Sequence, residues 1–242
     1  MKQWYRERQN MTLIPQDLKI KAIETPDITA AVVCADQESI LLAVKEGKEI
    51  NLINPTLIGN INLIKQTADK INFNIDHYNI IETKNEQEAA SIACELANKN
   101  KIRIIIKGNL HTDILMRYYL KKEFNLLEGK RLSHIWHMTA TKLKKPLFIT
   151  DGALNVLPRT DIKFQILKNA IEYCHKLNIA KPKVAILSGT EDPIESMPSS
   201  IDAKKIMELA MEEKVDAIVH GPLAFDNAVS EDAAKLKKIK ND

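Results

Sequence analysis

The sequence predicts an α/β protein whose parallel sheets are covered on both faces by helices, and three observations carry that expectation. Short apolar runs rich in Ile and Val alternate with longer amphipathic ones, the pattern left by β-α repeats whose strands are buried on both sides. Several apolar runs end in Gly beside polar residues, as the carboxyl ends of such strands do where backbone approaches a ligand. At 242 residues, 45% hydrophobic and 28% charged, the chain is long enough for one large or two modest cores.

Taken in order, strands are expected over 28–35 (ITAAVVCA), 53–59 (INPTLIG), 78–83 (YNIIET), 102–108 (IRIIIKG), 132–140 (LSHIWHMTA), 146–152 (PLFITDG), 183–189 (KVAILSG) and 215–221 (VDAIVHG). Each is a short apolar run of strand length bounded by turn residues. Helical spacing of apolar residues marks 38–47, 85–100, 112–125, 160–178 and 200–214. Thr112, Thr160 and Ser200 each precede a periodic run and are expected to accept the orphan N–H groups of a helix start. A seam is expected near Glu128-Gly129-Lys130-Arg131, which divides the chain into a first lobe over 1–130 and a second over 131–242.

Open parallel sheets collect ligands at strand carboxyl ends, where neighbouring connections diverge. That rule selects Lys107-Gly108-Asn109-Leu110-His111-Thr112-Asp113, Thr150-Asp151-Gly152-Ala153-Leu154-Asn155, Ser188-Gly189-Thr190-Glu191 and His220-Gly221-Pro222. Together they suit a small-molecule or phosphate site. Each Gly taken alone is better explained by a turn requirement, and His111 and His220 are equally explained by a structural hydrogen bond.

Composition removes other classes. A net charge of +3 with Lys interleaved among Glu and Asp leaves no nucleic-acid footprint. The cluster Lys235, Lys237, Lys238, Lys240 reads first as a solvated helix end. No apolar run reaches membrane-spanning length and the first residues lack a signal-peptide core, so a cytoplasmic protein is expected. Three scattered cysteines read as reduced thiols. His134 and His137, three apart in a strand, point to opposite faces and do not share a metal. No Walker phosphate loop, G-x-G-x-x-G turn or G-x-S-x-G elbow is present.

Five stretches in order, IIIKGNLHTD, GKRLSHIWHM, PLFITDGALNVLP, VAILSGTEDPIESMPSSIDA and VDAIVHGPLAFDNAVSEDAAK, resemble the phosphate acetyl/butyryl transferase family, and the GPLA-D-NAVS loop is closer to its butyryl branch. The likeness runs from about residue 30 onward, with 1–27 a loosely matched extension. It implies two three-layer α/β lobes with parallel sheets and a cleft between them, an architecture like that of isocitrate and isopropylmalate dehydrogenases, and a homodimer. It implies reversible acyl transfer between coenzyme A, a substrate and no resident cofactor, and inorganic phosphate, giving an acyl phosphate.

By position in the matched motifs, Lys107, Gly108 and His111 line one substrate loop, and Arg131 and Ser133 open another. Asp151, Gly152 and Asn155 lie at the cleft, where Asn155 hydrogen-bonds substrate, and Gly221, Pro222, Asp226 and Asn227 shape the opposite wall. A planar guanidinium suits phosphate oxygens, but Arg131 read alone is as well explained as a surface partner of Glu128, and Asp151 as a turn or cap residue.

The resemblance also implies a final family segment carrying a Ser-Arg dipeptide and an Asp that act in the chemical step. The sequence contains no Ser-Arg dipeptide, so it reads as a C-terminally truncated member whose catalytic residues are unassigned. The alternatives are a chain complemented by a downstream-encoded fragment, a noncatalytic acyl-coenzyme A or phosphate-binding module, and a degenerate remnant.

Overall fold

The computed structural model describes residues 15–139, 145–237 and 239. The chain divides into two compact units, one ending at Gly129 and the other beginning at Lys130.

The first unit holds α1 (Gln16–Ile23), β1 (Ile28–Val33), α2 (Glu38–Glu49), β2 (Ile53–Gly59), α3 (Ile61–Lys70), β3 (Asn79–Glu82), α4 (Glu86–Asn98), β4 (Ile104–Lys107), α5 (Thr112–Tyr119) and a 3-10 turn at Lys122–Phe124. Its sheet has the order β3-β2-β1-β4, and all three pairings are parallel.

Two interior strands need apolar residues on both faces, and β1 and β2 supply them by alternation. Ala31, Val33 and Ile58 pack on one side with Ala89, Ala90 and Ala93 of α4. On the other, Val32 and Leu57 meet Leu41 and Val44 of α2 and Ile64 and Ala68 of α3. Each fully buried Leu, Ile or Val contributes about 1.5–3 kcal/mol of transfer free energy. The three alanines of α4 let that helix lie close to the sheet.

The sequence has only 7 Gly, and asparagine takes over a task that glycine usually performs. Asn51, Asn72, Asn100 and Asn178 follow helices with φ of 56°, 51°, 54° and 63°. Asn tolerates this left-handed conformation better than other residues bearing a Cβ. At helix starts Asn60 and Asn85 accept the backbone N–H groups of Leu63 and Glu88 at 3.0 and 2.9 Å.

The capping expectation for Thr112, Thr160 and Ser200 is corrected. Thr112 and Thr160 are the first residues of their helices, preceded by His111 and Arg159 without a side-chain cap bond. Ser200 lies inside a helix that begins at Pro198. Thr160 and Ser200 engage tertiary partners instead, Asp202 for the first and the Ile194 backbone for the second.

The second unit contains β5 (Ile135–Met138), β6 (Leu147–Thr150), α6 (Thr160–Lys176), β7 (Lys183–Leu187), α7 (Pro198–Glu212), β8 (Ile218–Leu223), α8 (Phe225–Val229) and α9 (Glu231–Leu236). Strands β7 and β8 pair in parallel, as expected. Strands β5 and β6 pair antiparallel, which corrects the all-parallel expectation. His137 and Phe148, partners in that pair, turn toward Tyr173 of α6 with ring centroids 6.5 and 5.5 Å away. The opposite face leaves Trp136 and Met138 more than 40% exposed. The core of this unit joins Phe164, Leu167 and Ile171 of α6 to Ile206 and Ala210 of α7.

The expected strand over 215–221 is shifted. The structure places Gly221 and Pro222 inside β8, where the sequence suggests a loop. Ala185 pairs with His220 and Leu187 with Leu223, so two residues of β8 face one of β7. This bulge accommodates a proline that has no N–H to give. Pairing resumes with Ser188 N–H donating to Leu223 O at 2.9 Å. Among the described residues no helix is long and apolar enough to cross a membrane.

Candidate functional site

In the first unit the candidates follow β4. Gly108 N–H donates to Val33 O at 2.8 Å and Asn109 N–H to Cys34 O at 2.9 Å, drawing the loop onto the end of β1. A Cβ on Gly108 would collide with those two carbonyl oxygens, so only glycine fits this close approach. Lys107 is exposed, and its ammonium reaches Gly108 O at 3.5 Å. The His111 side chain sits at the exposed start of α5, while the His111 backbone N–H donates to Glu86 Oε2 at 3.2 Å.

In the second unit four candidates form one network. Arg131 Nε donates to Asn155 Oδ1 at 2.6 Å. Asn155 Nδ2 donates to Leu132 O at 3.0 Å and to the Asp151 carboxylate. That carboxylate also accepts from Ala153 and Leu154 N–H at 3.2 and 3.0 Å. Burial alone would raise the Asp151 pKa, but the Asn155 side chain and several backbone N–H groups outweigh it and hold the carboxyl below its usual range. Gly152 is exposed, with open space where a Cβ would be.

Sequence reasoning missed the third wall of this network. Asn169, in the middle of α6, donates through Nδ2 to Arg131 O at 2.7 Å and to Ser133 Oγ at 2.9 Å. An Asn interrupting an apolar helix stripe, where its helix propensity is poor, was the available signal. Arg131 is thus engaged by Asn155, and its guanidinium Nη groups have no partner among the described residues.

A second group in this unit surrounds Glu191. Its carboxylate accepts from the Asn227 side chain, from Ala224 N–H at 3.4 Å and from Lys237 at 3.4 Å. Burial pulls the Glu191 pKa up, but these donors overcome it and leave the group below the usual carboxylate range. Asn227 is 7% exposed, whereas Asp226 is exposed with Lys237 4.0 Å away. Gly221 has no room for a side chain, since a Cβ would fall 2.8 Å from Ile186 Cβ, and Pro222 is buried beside it. Lys235 pairs with Glu231 at 3.8 Å, and Lys238 and Lys240 lie outside the described residues.

The histidine pair reads as structural. His134 and His137 contact Trp136 and Phe148 edge-on, and no group of three potential metal ligands occurs among the described residues.

The model of the family described as phosphate acetyl/butaryl transferase matches residues 85–241, a span that includes every one of these loops. The chain belongs to the phosphate acetyl/butaryl transferase family. A phosphate acetyltransferase of Rickettsia felis is 39% identical over 218 residues, covering 89% of this chain and 62% of the relative. A phosphate butyryltransferase of Clostridium acetobutylicum is 32% identical over 223 residues, covering 92% and 73%. The chain therefore spans about 62% of the length of the first of these relatives. A branched-chain phosphotransacylase from Enterococcus faecalis V583 superposes with a TM-score of 0.70 at 27% identity, covering 88% of this chain and 75% of the other. A phosphotransacetylase from Streptococcus pyogenes shares the fold, with a TM-score of 0.75 at 16% identity.

Proposed function

We propose that the protein takes part in reversible acyl transfer between an acyl-coenzyme A and inorganic phosphate. A phosphate oxygen attacks the thioester carbonyl, the C–O bond forms, the C–S bond breaks, and the coenzyme leaves as thiolate and takes up a proton. Such a step depends on holding the oxyanion in line and balancing its charge. The observation that carries this reading is Arg131, held through Nε by Asn155 while its Nη groups have no partner among the described residues, on a loop of the family match. In this reading Lys107, Gly108, His111, Gly152, Gly221, Pro222, Asp226 and Asn227 complete the substrate site, within two α/β lobes of the dehydrogenase-like arrangement and a cytoplasmic homodimer.

A second reading is binding of acyl-coenzyme A or phosphate without turnover.

One experiment separates the two. The purified chain is given acetyl- or butyryl-coenzyme A with phosphate, free thiol is followed, and ligand binding is titrated in parallel. Thiol release that depends on phosphate supports transfer, and in that case Arg131→Ala should slow it by roughly a hundredfold. Binding without thiol release supports the second reading. Absence of binding overturns both. Light scattering at twice the chain mass is the expected result for the dimer, and a monomer overturns it.

A further inference from the structure

We propose that Asn155 is a positioning residue for Arg131, not a substrate ligand: with Asp151 behind it, its carboxamide aims the guanidinium at a phosphate oxyanion without neutralising it. This rests on the acyl-transfer or ligand-binding reading above and assigns the work inside that site.

The hydrogen-bond capacity of Asn155 is nearly used up. Its two N–H donors go to the Leu132 carbonyl at 3.0 Å and to the Asp151 carboxylate. A carbonyl and a carboxylate only accept, so the amide has one permitted orientation. Oδ1 must then face Arg131, where it takes the Nε–H at 2.6 Å. Asp151 enforces this orientation, and the Ala153 and Leu154 N–H groups hold Asp151 itself at 3.2 and 3.0 Å.

The charge arrangement gives the design a reason. A carboxylate in place of Asn155 would bind Arg131 more firmly, but the ion pair would use the positive charge that a phosphate needs. Asn155 places a neutral amide between Asp151 and Arg131, so the cation is oriented and stays uncompensated. With Nε occupied, the Nη1/Nη2 edge remains, a two-pronged donor suited to phosphate oxygens. Asn169 fixes the backbone from α6 at Arg131 O, 2.7 Å away, and donates to Ser133 Oγ at 2.9 Å. Because that hydroxyl accepts from Asn169, its own hydrogen is left to donate.

The test is a double-mutant cycle on the whole chain. Inorganic phosphate and coenzyme A are titrated separately against wild type, Arg131→Ala, Asn155→Ala, Asp151→Asn and the two double variants that combine Arg131→Ala with each. Asn155→Ala should weaken a phosphate-bearing ligand about tenfold, and the isosteric Asp151→Asn about threefold by releasing the amide to flip. Neither should add anything in the Arg131→Ala background, because residues acting through one another are not additive. Loss in the phosphate arm assigns Arg131 to inorganic phosphate, and loss in the coenzyme arm to the phosphates of coenzyme A; either supports the relay. Equal losses with and without Arg131 would mean that Asn155 meets the ligand itself and would overturn it, as would unchanged affinity in both single variants. If Asn155→Ala fails to fold, the Asp151→Asn cycle decides alone. A wild-type chain that binds neither ligand overturns the functional reading as well, which distinguishes that failure from a failure of the relay.

Discussion

The ammonium of Lys163 lies 2.6 Å from Asp202 Oδ2, and the same carboxylate accepts from Thr160 Oγ1. One carboxylate in the first turns of α7 thereby ties down the start of α6, within a pair whose side chains are 31% and 26% exposed. Burial raises the Asp202 pKa, yet the bonds from Lys163 and Thr160 prevail and hold it below the usual value.

Because the folded pKa is depressed, the stabilisation is present above the unfolded pKa of about 3.9 and is lost as pH falls through the lower folded value. Asp202→Asn should cost about 1 kcal/mol at neutral pH, after allowance for solvent screening. The difference in urea midpoint between variant and wild type should shrink below pH 4 or so. A difference that persists unchanged at acid pH would show that the charge is not what matters.

Glycine is required at two points for steric reasons. Gly108→Ala drives a Cβ onto the Val33 and Cys34 carbonyl oxygens, and Gly221→Ala drives one to 2.8 Å from Ile186 Cβ. Each substitution should destabilise by about 1–3 kcal/mol and lower the melting temperature, while Gly152→Ala, with open space around it, should leave it near wild type. Calorimetry on the three variants checks the ranking.

All three cysteines are buried and free. Burial, assisted by Asp36 and Glu86, pushes the Cys34 thiol up to about 11, and burial pushes Cys94 up to about 11. Roughly one thiol in a thousand is then ionised at pH 8, and the thiolate is the reactive form. An aromatic disulfide reagent should react slowly with the native chain and rapidly with three thiols after unfolding in guanidinium. Fast native labelling would contradict this. The same inertness keeps the background low when coenzyme A thiol is followed.

The sequence was most legible where two physical signals coincide. Strand β2 has the bounds expected from INPTLIG, because a buried run bounded by turn residues has few other readings. Helix α1 escaped because none of its residues is buried, so it leaves no periodic stripe. Helix α3 escaped although Asn60 caps it and Ile64 and Ala68 lie four apart on its buried face, so the signal was present in the sequence and went unread. Gly221-Pro222 reads locally as a breaker, and only its pairing partner reveals a bulge. The same limit applies to the site. The loops bearing Arg131, Asp151 and Asn155 were visible as motifs, but their assembly into one network and its tie to α6 through Asn169 join residues far apart in sequence, which only tertiary packing brings together.

The order β3-β2-β1-β4 has a consequence for how the chain is made. During synthesis β1 can pair with β2 as soon as Ile53–Gly59 has emerged, but its other edge waits for Ile104–Lys107. Until then the most buried strand of the first unit presents unpaired backbone and apolar side chains, the kind of edge that attracts other chains. Closing it requires a long-range parallel pairing, which is slow. The loop of Gly108 is set by that same late event, because its hydrogen bonds go to Val33 and Cys34. The loop of Gly108 is therefore completed only when β4 docks, and a nascent chain caught before that point is prone to aggregate.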